Sequence, residues 1–163
     1  MTKFQQRHPI PPRFLELAGE ITAQWTFVEY VLLQSICEIT EIDTNKGFLV
    51  GWNLGFWSRI HTLQAYANAA KSHDEQEGKR ILKAIQDIID AYAIRNKYAH
   101  AYWLLDQQTG TPRLVDLRIK GRLAIEDSEI TVDQMEADSD AIWDAADAFI
   151  TLMQEYDLLK TML

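Results

Sequence analysis

At 163 residues, 47% of them hydrophobic and 25% charged, the chain is expected to form one domain over residues 1–163 with a self-sufficient core. Its single cysteine, Cys37, excludes an internal disulfide, and its longest apolar run, GFLVGWNLGFW at 47–57, is too short and too interrupted to span a bilayer. A net charge of −8 argues against generic phosphate-driven nucleic-acid binding, but residues 126–163 carry eleven acidic groups and one basic group. Residues 1–125 carry fifteen basic against thirteen acidic groups, so a phosphate-bearing ligand is compatible with that part.

The opening MTKFQQRHPIPPRF has no apolar core of signal-peptide length, which leads to the expectation of a cytoplasmic protein without a membrane partner. Prolines at 9, 11 and 12 mark an extended lead-in, with Pro12 placed for a first helical turn. Phe14, Ala18, Ile21, Trp25, Val28, Leu32, Ser35 and Ile39 then recur in steps of four and three. That spacing predicts a long helix with one continuous seam, facing either the chain's own core or a second copy. Thr44 is the expected N-cap of a helical region reaching about Ser72. Gly47, Gly51 and Gly55 open it at intervals of four. Either they share a face where another backbone approaches, or they mark a break with Asn53 capping a second helix.

Asp74 is a fair N-cap for a helix from about Glu75 to Ala101. Its seam is Ile81, Ile85, Ile88, Tyr92 and Ala99, and Arg95 lies one turn beyond Tyr92 on that side. A buried arginine is costly unless it meets an anion or another partner. After Trp103 the pattern alternates (RLVDLRIKGRL), with Thr-Gly and Lys-Gly turn signals, which predicts an antiparallel insert of two or three strands over about 103–130. Thr131 followed by Gln134 fits a capping box. The last helix then carries Met135, Ile142, Ala146, Phe149, Met153 and Tyr156 on one face. The expected architecture is all-α, a bundle of four to five helices with a short β-hairpin insert before the last.

The chemistry concentrates in IRNKYAHAYW, residues 94–103. On a helix Asn96 and His100 project from one face, and the long Arg95 side chain can swing toward them. Imidazole exchanges protons near neutral pH, guanidinium offers a forked, permanently charged donor for phosphate, and the Asn amide can orient either. Together they suit RNA cleavage by attack of a 2′-OH on its own phosphate. A plainer reading is a polar helix end, with Arg95 paired to an acid such as Glu29 and His100 capping carbonyls.

RNKYAH resembles the R-x4-6-H motif of the HEPN superfamily (higher eukaryotes and prokaryotes nucleotide-binding), in which a polar residue, often Asn, follows the arginine. The motif's place near the end of a late helix resembles HEPN domains, as does the first helix with Trp25, Val28, Glu29 and Leu32 in a W..VE..L pattern. The hairpin insert departs from the general HEPN pattern. The resemblance implies a metal-independent endoribonuclease, with no cofactor, acting as a homodimer whose two motifs form one composite site. His100 would be the general acid/base, Arg95 the phosphate and transition-state stabiliser, and Asn96 the orienting group. Lys97 would add a phosphate contact, Tyr98 would pack or stack, and Trp103 could stack on a base. Glu29 and Arg59 are expected to line or buttress the site. The alternative within the same resemblance is a non-catalytic nucleotide-binding or protein-interaction module. His8, His61 and His73 form no HExxH and no i,i+4 pair, so no metal site is expected. The acidic last helix would suit a basic partner such as a cognate antitoxin.

Overall fold

A computed structural model describes residues 10–51, 53–119 and 123–159; His8, Trp52 and the expected Lys120–Gly121 turn lie outside the described residues. In chain order come α1 (Pro12–Ile39), α2 (Thr44–Gly51), α3 (Phe56–Ala70), α4 (Glu75–Ala99), the strands β1 (Tyr102–Leu105), β2 (Pro112–Ile119) and β3 (Leu123–Glu129), and α5 (Val132–Glu155). The chain is thus mostly helical, with a three-stranded antiparallel meander rather than a single hairpin before the last helix.

Pro12 sits in the first turn of α1, where a missing N–H costs nothing. Phe14, Leu17, Ile21, Trp25 and Val28 point inward, and from Val31 to Cys37 the helix is buried on all sides because α2 folds back along it. The cap of α2 is Asp43, one residue before the expected Thr44: its Oδ1 accepts the Lys46 N–H at 3.2 Å. The glycine triplet divides between the two readings. A Cβ on Gly47 would lie 2.1 Å from Cys37 Sγ, and one on Gly51 would lie 2.3 Å from Leu33 Cδ1, so these two let α2 approach α1 closely. Gly55 meets nothing within 4 Å and precedes α3, at the break; Asn53 is not the cap.

Asp74 caps α4 as expected, its Oδ1 accepting from the N–H groups of Gln76 (2.8 Å) and Glu77 (3.1 Å). Buried Gly78, one turn in, lets α4 cross the end of α3: a Cβ there would lie 2.6 Å from the Ala67 carbonyl oxygen. Ion pairs at both ends, Arg80 with Glu155 and Lys97 with Asp138, set α4 and α5 antiparallel. Trp25, Phe56 and Tyr92 join α1, α3 and α4 through ring contacts of 5.4, 5.4 and 3.9 Å.

Two helices end alike. Glu41 and Asp157 both take φ 55° just past α1 and α5. Each is followed by a residue whose N–H reaches back five positions, Ile42 to the Cys37 carbonyl (3.0 Å) and Leu158 to that of Met153 (2.7 Å). These are Schellman closures with an acidic residue where glycine is usual.

The sheet is ordered β1-β2-β3. Its register pairs Trp103 with Leu114 and Asp116 with Glu126. Leu114 is buried and the sheet face that carries it lies on α4. Asp106 closes the first turn by accepting the N–H groups of Gln108 (2.8 Å) and Thr109 (3.1 Å), which lowers its carboxyl below the ordinary range. Thr131 caps α5 through the Gln134 N–H at 3.1 Å. The capping box is only half made, since the Gln134 amide runs forward to Asp138 (2.9 Å) instead of back.

Candidate functional site

Helix α4 ends at Ala99 with His100 as its C-cap, whose N–H bonds to the Asn96 carbonyl at 3.2 Å. Another late carbonyl, that of Tyr98, accepts the Trp103 indole N–H at 3.3 Å. Trp103 therefore fixes the turn between helix and sheet, and its ring lies 6.2 Å from that of Tyr98.

At this end the three motif side chains meet. Arg95 Nη1 donates to Asn96 Oδ1 at 3.0 Å and stands 3.5 Å from His100 Nε2. The guanidinium is half-buried, its Nε is buried without a hydrogen-bond partner, and among the described residues it forms no salt bridge. Among the described residues Glu29 forms no salt bridge with it, and the Glu29 backbone carbonyl accepts separately from Arg59 Nη1 at 3.4 Å. The plainer reading of Arg95 as half of a structural ion pair with Glu29 is thus not what the fold contains.

Asn96, Lys97 and His100 form one wall of a cleft of about 580 Å³. The opposite wall is the helix-facing side of the sheet, with Leu114, Asp116, Glu126 and Ser128. His100 is exposed, and Arg95 stands behind this wall, touching Asn96 and His100 rather than lining the cleft. The helix side of the cleft carries Asn96, Lys97 and His100, and the sheet side carries Asp116 and Glu126.

A second layer holds the helix wall in place. Tyr98 is buried and its hydroxyl donates to Asp138 on α5, which also accepts Lys97 Nζ at 3.0 Å and the Gln134 amide. Burial first, then the bond to the Asp138 carboxylate, push the Tyr98 phenol far above its ordinary value. Tyr98 is therefore a packing and anchoring residue with no surface to offer a ligand. Lys97 both lines the cleft and leans on Asp138.

Glu29 and Arg59 lie together, but not here. They line a separate cleft of about 380 Å³ with Tyr30, Asn53 and Gly55 at the start of α3. Four residues that the sequence did not single out, Asp116, Glu126, Ser128 and Asp138, belong to the site or its support. The alternation in RLVDLRI gives the face of Asp116 relative to Leu114, but only the strand register brings Glu126 beside it. Among the described residues no group of three or more His, Cys, Asp and Glu side chains is arranged to hold a metal ion. No helix among them is long and apolar enough to cross a membrane. No family model matches the chain, and comparisons with curated proteins and with solved structures find no significant relative.

Proposed function

We propose that this chain is a HEPN-type, metal-independent endoribonuclease that works as a homodimer. The observation that carries the reading is Arg95: a half-buried guanidinium without a carboxylate partner among the described residues, turned onto Asn96 and His100 at an open helix end. Such a group is expensive to bury unless an anion completes it, and a phosphodiester fits its forked donors.

The chemistry follows from the residue types. One His100 imidazole accepts the proton of a ribose 2′-OH, and that oxygen attacks the adjacent phosphorus. The bond to the 5′-oxygen breaks, and a protonated imidazole returns a proton to it. The products are a 2′,3′-cyclic phosphate and a 5′-hydroxyl. Arg95 stabilises the charge that builds on the non-bridging oxygens, and Asn96 holds Arg95 in place. One chain has a single histidine here, so a second copy would supply the other half of the acid–base pair. An acidic last helix suits a basic partner, and a toxin or phage-defence component held by a cognate antitoxin fits this picture.

A second reading, a non-catalytic nucleotide-binding or protein-interaction module of the same dimeric fold, draws on Asp116 and Glu126, which weaken the cleft's attraction for a polyanion. Mixed RNA incubated in EDTA with the wild type, Arg95→Ala and His100→Ala separates the two. Cleavage by the wild type that both substitutions abolish supports the enzyme, and equal background in all three sinks it. A monomer at micromolar concentration in sedimentation runs would count against the composite site.

A further inference from the structure

His100 stands on a segment that is tied down on both sides of it. Tyr98, two residues before, is buried, and its hydroxyl donates to the Asp138 carboxylate on α5. Trp103, three residues after, lies in β1, and its indole N–H donates to the Tyr98 carbonyl at 3.3 Å. Tyr98 is thus joined to the last helix through its side chain and to the sheet through its backbone. The bond from Trp103 closes Ala99, His100, Ala101 and Tyr102 into a short loop, and the two alanines beside His100 have no polar side chain to hold it. Arg95 comes from the helix body one turn earlier, steadied by Asn96 Oδ1 at 3.0 Å. Its Nη1 stands 3.5 Å from His100 Nε2, at the outer limit of a hydrogen bond, so a displacement of about half an ångström decides whether the two groups interact.

We propose that Trp103 and Asp138 are positioning residues: acting through Tyr98, one from the sheet and the other from α5, they set His100 against Arg95. The two bonds restrain different motions. The Tyr98 hydroxyl fixes the end of α4 on α5, and the indole N–H fixes where the chain goes after it leaves the helix. Neither Trp103 nor Asp138 is among the residues that line the cleft, so their influence falls on the chemical step and not on binding. Reacting groups held about 1 Å out of place lose about a hundredfold in rate. The assignment rests on the ribonuclease reading for the reaction, while its geometric half, the contact of His100 with Arg95, is measured without it.

The test uses the full-length protein and two readouts. In the first, steady-state cleavage of a mixed-sequence oligoribonucleotide in EDTA compares the wild type with Trp103→Phe, which keeps a ring and removes the N–H, and with Asp138→Ala and Asp138→Asn. Trp103→Phe and Asp138→Ala are expected to lower kcat about tenfold or more with KM unchanged. Asp138→Asn retains an oxygen for the Tyr98 hydroxyl and is expected to recover most of the loss. Glu155→Gln, which breaks the Arg80 pair at the other end of α4 and α5, controls for a merely structural effect and is expected to leave both constants unchanged. The second readout needs no activity. The His100 imidazole carbon–proton resonance is assigned with His100→Ala, and the shift that Arg95→Ala produces in it marks their contact. In Trp103→Phe and Asp138→Ala the resonance is expected to move toward its Arg95→Ala position, and in Asp138→Asn and Glu155→Gln to stay near the wild-type one. A resonance that neither Trp103→Phe nor Asp138→Ala moves, equal effects of Asp138→Asn and Asp138→Ala, or an effect as large in Glu155→Gln overturns the proposal. Cleavage that depends on Arg95 and His100 but keeps its kcat in Trp103→Phe and Asp138→Ala overturns the positioning roles and leaves the ribonuclease intact. Moved resonances with no cleavage by the wild type keep the positioning roles and remove the ribonuclease.

Discussion

The contact between Tyr98 and Asp138 is where the site's support can be measured. Tyr98→Phe removes one hydroxyl from a buried position and leaves Asp138 bonded to Lys97 and Gln134. A hydrogen bond to a charged group contributes about 1.5–3 kcal/mol, and the carboxylate keeps its other partners, so a loss of about 1.5 kcal/mol is expected. Asp138→Ala does more damage, because it strands the buried phenol without an acceptor at about 1–3 kcal/mol. The Lys97 pair adds little, since that ammonium is well exposed and screened. The double variant no longer has a stranded hydroxyl and should cost less than the sum of the two, with a coupling of about 1 kcal/mol or more. Urea unfolding of the four proteins measures this, provided the slopes agree. Additivity within about 0.3 kcal/mol would refute the idea that these groups act as one. A pH signature comes with it. The folded phenol is raised above its ordinary 10.0 by burial and by Asp138. Its contribution is therefore fully present below pH 10 and lost as pH climbs from there toward the raised folded value. Tyr98→Phe should lessen the alkaline loss of stability.

Other expectations follow from the fold. Glu41→Gly and Asp157→Gly each relieve a left-handed residue and should stabilise by about 1 kcal/mol, raising the melting temperature by about 2–4 °C; a drop in either would contradict the Schellman assignment. Gly47→Ala and Gly51→Ala should destabilise by about 1–3 kcal/mol through overpacking against Cys37 and Leu33, whereas Gly55→Ala has open space and should be near neutral in the same denaturation assay. At acid pH, Glu155, lowered chiefly by its hydrogen bond from Arg80, and Asp106, lowered by the N–H groups of Thr109 and Gln108, contribute stability that is present above their ordinary values of 4.5 and 3.8. That stability is lost as pH falls through the lowered folded values, so Glu155→Gln and Asp106→Asn should flatten the acid limb of a stability–pH curve.

What the sequence revealed and what it hid divide along physical lines. Helix seams and caps are local, so the stripe through Phe14, Ile21, Trp25 and Val28, the Asp74 cap and the Thr131 cap could be read from spacing and residue type. The Thr44 assignment missed by one residue because Asp43 and Thr44 are both good capping residues and only backbone geometry chooses between them. The glycine triplet looked like one device because its period is regular, yet the chain breaks inside it, so its members serve different ends. The proximity of Arg95, Asn96 and His100 was legible for the same local reason. Their neighbours were not. Asp138 is about forty residues away on another helix, and Asp116 and Glu126 are joined only by strand register. Glu29 and Arg59 were assigned here because they are polar among apolar residues, and the fold takes them to another cleft.

Arg95 shows why burial and pairing must be weighed together. Arginine at a packed position is ordinarily explained by a carboxylate within reach, and Glu29 was the candidate on α1. Among the described residues no Glu29 carboxylate reaches Arg95, which turns instead to the Asn96 amide oxygen and the His100 ring nitrogen. Neither cancels its charge. The negative end of the α4 dipole adds about 0.3–1 kcal/mol at an exposed terminus. Under the proposed function an anionic phosphodiester would complete the charge balance at Arg95, touching Asn96 and His100 as well.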